Sequence, residues 1–75
     1  MEKIKRFGAC EVGSVGYMKG ERKIIVEKKL ATYNGRTLYA VRSFSPSHNA
    51  WLFDGQFTGS SYIDVARNYF NDPNK

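Results

Sequence analysis

Cysteine and histidine are nearly absent: Cys10 and His48 are the only ones in 75 residues. A lone cysteine excludes a disulfide within the chain and a Cys-rich metal centre. Small secreted domains are usually stapled by disulfides, so the expected setting is reducing and cytoplasmic. Cys10 is expected to be a small buried hydrophobe rather than a reactive thiol. No apolar run approaches the roughly 18 residues of a membrane span. Met1-Glu2-Lys3-Ile4-Lys5-Arg6 is charged with no apolar run behind it, so neither a signal peptide nor a membrane partner is expected. No Ca²⁺-loop pattern occurs, and no glycine run leads into a Lys-Ser/Thr pair. A cofactor, a metal and a small-molecule substrate are therefore not expected. The chain is also short. A domain of this size buries only about 60% of the surface exposed by its unfolded form, leaving little volume for a deep catalytic cleft.

Aromatic residues, by contrast, are plentiful: five Phe, five Tyr and one Trp. Disordered chains are poor in these types, and large rings fill a small core well. One folded domain over residues 1–75 is expected. The net charge of +5 is uneven. Residues 1–42 hold Lys3, Lys5, Arg6, Lys19, Arg22, Lys23, Lys28, Lys29, Arg36 and Arg42 against Glu2, Glu11, Glu21 and Glu27, a net +6. Residues 43–75 hold Arg67 and Lys75 against Asp54, Asp64 and Asp72, a net −1. Such asymmetry points to an acidic partner for the basic half, or simply to a solvated surface.

Along the chain, residues 1–20 have no clean hydrophobic period and are broken by Gly8, Gly13, Gly16 and Gly20. A short strand within residues 3–12 and then a Gly-rich turn region are expected. Residues 22–33 and 36–44 flank Asn34-Gly35, the strongest short hairpin signal. The run Ile24-Ile25-Val26 favours strand over helix. A two-residue turn mixes apolar and charged residues on both faces. A three-residue loop opposes Leu30 to Leu38 and gathers Ile24, Val26, Leu30, Leu38, Ala40 and Phe44 on one face, so the burial pattern selects that register. The other face then carries Ile25, Glu27, Lys29, Ala31, Thr37, Tyr39, Val41 and Ser43. Residues 45–49 read as a loop around Pro46, residues 50–54 as a strand, and Asp54-Gly55 as a turn. Residues 61–71 form an amphipathic helix with Tyr62, Ile63, Ala66, Tyr69 and Phe70 on one face. Ser60 or Ser61 caps it, and Ser61-x-x-Asp64 resembles a capping box. The expected fold is α+β: an antiparallel sheet of three to four strands with one C-terminal helix on one face.

No motif names a reaction. His48 has serines around it and aspartates elsewhere, but a triad is defined by geometry rather than inventory. Gly13-Ser14-Val15-Gly16 has the spacing of a nucleotide-clamping Gly-x-x-Gly loop without its flanking helices. Residues 39–44 partly echo an RNA-stacking aromatic strand, without the basic-Gly pair before it. The expectation is a non-enzymatic protein that binds and regulates or inhibits a larger protein, in the style of small phage and mobile-element accessory proteins. Sequence-tolerant nucleic-acid binding is the alternative. The residues expected to meet the partner are Lys19, Arg22, Lys23, Lys28, Lys29, Tyr39, Arg42 and Trp51.

Overall fold

A computed structural model of the chain describes residues 3–73. The expectation for the side chain of Cys10 falls outside what is described. Five strands run in sequence order, β1 (Lys5–Glu11), β2 (Ser14–Lys19), β3 (Arg22–Tyr33), β4 (Arg36–Ser45) and β5 (Ala50–Gly59), followed by helix α1 (Tyr62–Asn71). They form one antiparallel meander in which every strand pairs with its neighbour in sequence. Among the described residues no helix is long and apolar enough to cross a membrane.

The α+β class is as expected, but the sheet has five strands instead of three to four. The extra one is β2, in the segment read as a Gly-rich turn. Gly13 and Gly20 do sit in turns, at φ 81° and 62°. Gly16 lies inside the strand, where a Cβ would come within 2.4–2.8 Å of the Phe7 ring. A glycine that admits a ring is indistinguishable in sequence from one that breaks a strand. Asp54-Gly55 is not a turn either. It forms a bulge with Gly55 at φ 121°, and β5 continues past it to Gly59.

At the turn the hairpin takes the two-residue alternative and not the three-residue loop that the burial pattern selected. Tyr33 pairs with Arg36, and Asn34 and Gly35 both have positive φ, at 54° and 77°. This is a two-residue turn whose twist matches the flanking strands. Beyond it Lys29, Leu30 and Ala31 of β3 stand against Leu38 alone, and the ladder resumes with Lys28 opposite Tyr39. The bulge leaves Leu30 fully exposed. The two-residue turn, not the bulge, sets β4 in the opposite facing to the one expected: Tyr39 and Val41 are buried with Ile24 and Val26, while Ala40 and Phe44 face the other way. A bulge of two extra residues keeps that facing. The sequence reading assumed an unbroken ladder, and the two extra residues in β3 overturn it.

Helix α1 covers the face carrying Val15, Tyr17, Ile24, Val26, Tyr39 and Val41. Ser61 is its N-cap and accepts a hydrogen bond from the Asp64 amide at 3.2 Å, while Asp64 accepts from the Ser60 amide at 3.1 Å. Tyr69, Phe70 and Ala66 are buried as expected, with Tyr62 and Ile63 packed at the margin. Val65, outside the expected stripe, is also fully buried.

Candidate functional site: the helix-free face of the sheet

Because side chains alternate along a strand, the face away from α1 carries Gly16 and Met18 from β2, Lys23, Ile25, Glu27 and Lys29 from β3, and Leu38, Ala40, Arg42 and Phe44 from β4. Trp51 and Phe53 of β5 join them through the pairs Phe44–Trp51 and Arg42–Phe53. Lys5 reaches the same face opposite Met18.

Phe7 belongs there too, and it reveals the shape of the sheet. Its ring rests on Gly16 and stacks with Trp51 at 6.3 Å between centroids, with 18° between planes. Phe7 is on one edge strand and Trp51 on the other. In a flat sheet, strands β1 and β5 would be about 19 Å apart at the usual 4.8 Å spacing. The sheet therefore curls toward its helix-free face until side chains from its two edges touch. Phe44 meets Trp51 edge-on at 5.2 Å. The resulting aromatic group is only partly sheltered: Phe7 is 39% exposed, Trp51 37% and Phe53 64%. Lys5, Lys23 and Arg42 lie on this face around it. A surface of rings with a methionine and an arginine among them has the composition of binding hot spots.

The structure brings only some of the expected contact residues together. Trp51, Arg42 and Lys23 share the aromatic face. Tyr39 does not: it is 3% exposed and lies in the core against Tyr62, a 5.4 Å edge-on contact. The two-residue turn, in place of the expected three-residue loop, turned it inward. Lys19, Arg22 and Lys28 fall on the helix side of the sheet. The Arg22 guanidinium lies over the rings of Tyr69 and Phe70, 5.6 and 5.2 Å from their centroids. Lys29 is on the aromatic face but forms an ion pair with Glu27 at 3.0 Å. Sequence reasoning missed Phe7, Phe44 and Phe53. For the last two the signal was present: residues 44 and 51 flank the loop at 45–49, and Phe53 follows Trp51 at the period of a strand.

Two polar groups meet on the helix side, at the end of the sheet. Tyr69 donates to the Asp54 carboxylate at the β5 bulge. Burial, and then this hydrogen bond, raise the Tyr69 phenol above its ordinary pKa of 10.0. Tyr17 is also raised, by burial that outweighs the nearby charge of Arg6. A cleft of about 370 Å³ opens beside Tyr69, lined by Arg22, Lys23, Ser43, Phe44 and Pro46 among others. His48 sits in the exposed loop with its Nδ1 2.8 Å from Ser45 Oγ and 3.2 Å from Ser47 Oγ. The loop also closes on itself through the His48 amide to the Ser45 carbonyl and the Asn49 amide to the Pro46 carbonyl, each 3.2 Å. Among the described residues, no three of His, Cys, Asp and Glu gather as a metal site would require.

No protein-family model, no curated protein and no solved structure matches this chain.

Proposed function

We propose that this protein is a non-enzymatic docking module that binds a larger protein through the helix-free face of its sheet, as a regulator or inhibitor would. The observation that carries this reading is the group of Phe7, Trp51, Phe44 and Phe53 left partly open to solvent where the two edges of the curled sheet approach. Soluble monomers seldom expose contiguous apolar surface without a use for it. Lys5, Lys23 and Arg42 on the same face suit a partner whose apolar patch is flanked by carboxylates, which steer encounter and fix orientation.

Nucleic acid is the second reading, because rings among basic residues also stack bases. The distribution of charge favours protein. A backbone track needs its cations on one side, and here Lys19, Arg22 and Lys28 are on the far side while Lys29 is engaged by Glu27. Trp51 also shares one side of its ring with Phe7.

The test is affinity capture from nuclease-treated lysate with the native chain, Phe53→Ser and Lys28→Glu. One stoichiometric protein held by the native chain and by Lys28→Glu, and lost with Phe53→Ser, is the expected result. Micromolar binding of random single- or double-stranded nucleic acid at about 150 mM salt, where exposed charges are well screened, would overturn the protein reading in favour of the other.

A further inference from the structure

The geometry points to a second copy of this chain on the free edge of β5, paired antiparallel about a two-fold axis at Leu52. The two edges of the sheet differ. Strand β1 begins with Lys5 and Arg6 and is bent by register shifts on either side of Gly8, both of which discourage pairing. Strand β5 offers Ala50, Trp51, Leu52 and Phe53 in unbroken register with β4 and without a charge. Leu52 is half-exposed and Phe53 more so. A regular, apolar, uncovered edge is a template for another strand.

The occupant follows from charge and symmetry. The chain carries +5, but residues 43–75 contribute −1, so pairing through β5 keeps the basic halves of two copies apart. A two-fold axis normal to the sheet keeps equivalent faces on the same side, and each residue then meets one of like facing. Centring on Phe53 would set Leu52 against Asp54, and centring on Trp51 would leave Phe53 unmatched. Centring on Leu52 sets Leu52 against its own copy and Trp51 against Phe53 in both directions. The two aromatic faces then become one continuous surface.

This inference concerns the strand edge and stands apart from the reading of the face. Leu52 lies on the opposite side of the sheet from Phe53, so its replacement leaves the aromatic group in place. The experiment is sedimentation equilibrium on the native chain, on Leu52→Lys, on Leu52→Glu and on an equimolar mixture of the two variants. The native chain is expected to rise with concentration to about twice its 8.6 kDa mass. Each variant alone, with like charges facing at the axis, is expected to stay at the single-chain mass, and the mixture to regain the dimer. A native chain that stays single at every concentration overturns the inference. So do variants that still dimerise alone, or a mixture that does not. If either variant fails to fold, amide exchange in the native chain decides. Outward-facing amides within residues 50–53 slow with rising concentration if the edge is paired, and exchange that ignores concentration overturns the inference.

Discussion

Replacing Gly16 by Ala should change sign with the residue at position 7. Gly16 has no backbone need for glycine, since its φ is not among the positive values. On that ground Ala should stabilise by about 0.4–1 kcal/mol, by restricting the unfolded chain. The added Cβ, however, would lie 2.4, 2.6 and 2.8 Å from Cζ, Cε2 and Cε1 of Phe7, far inside the roughly 3.5–4.0 Å of a good carbon contact. The ring must swing off the strand and away from Trp51. Full burial of a Phe side chain is worth about 1.5–3 kcal/mol. Phe7 is already 39% exposed, so displacing it should cost about 1–2 kcal/mol. The net effect in the native background is a loss of up to about 1.5 kcal/mol. With Phe7→Ala already present there is no ring to displace, and Gly16→Ala should stabilise. Urea unfolding of the four chains in this double-mutant cycle, followed by fluorescence of Trp51, measures both arms. Trp51 is the sole tryptophan, so the folded-state emission should also shift to the red in Gly16→Ala as the Phe7 contact opens. The same sign of effect in both backgrounds, or an unshifted emission, would refute the account of how the sheet curls.

Gly59→Ala should be worse than neutral for a different reason: its Cβ would come within 2.6 Å of Val65 Cγ2, inside the core, and overpacking there costs about 1–3 kcal/mol in urea midpoint analysis. Phe70→Ala should cost about 3–5 kcal/mol, because the ring is buried between the sheet and Tyr69; a loss below about 1 kcal/mol would remove the helix from its assigned place. Alkaline pH should destabilise the fold through Tyr69. Its folded pKa is raised above 10.0, so its contribution is complete below that value and is lost as pH rises through the folded pKa, where the unfolded chain gives up its proton first. Tyr69→Phe should reduce this alkaline decline in urea midpoint, leaving the part due to Tyr17, and an unchanged decline would exclude Tyr69 as a source.

The parts of the fold that were legible in sequence rest on local chemistry. The Asn34-Gly35 turn, the Ser61 cap and the stripe of Ala66, Tyr69 and Phe70 each follow from residues a few positions apart. What was hidden depends on distant partners. Gly16 reads as a break until Phe7 is placed over it. The bulge at Lys29–Ala31 discards Leu30, the strongest apolar residue of its segment, and no local signal announces that loss. The facing of β4 was reversed by the two-residue turn standing where a three-residue loop was expected, so Tyr39 lies in the core and not on the expected contact surface. The same reversal brought Arg42 to the helix-free face, whereas the facing of Lys23 on β3 did not depend on it. Phe7 could not be placed without knowing that the sheet curls.

The meander has a kinetic meaning as well. Each strand pairs with the one just before it, so every hairpin can close over a short loop, and such low contact order favours rapid folding. Yet the sheet so formed is incomplete. Its apolar side, with Val15, Ile24, Val26 and Val41, is covered by Val65, Ala66, Tyr69 and Phe70 of the helix that follows the last strand, with Tyr62 and Ile63 at the margin. During synthesis all five strands emerge before that cover exists. A nascent chain halted before Tyr62 would display the whole inner face of the sheet to the cell, and docking of α1 is the event that ends this exposure.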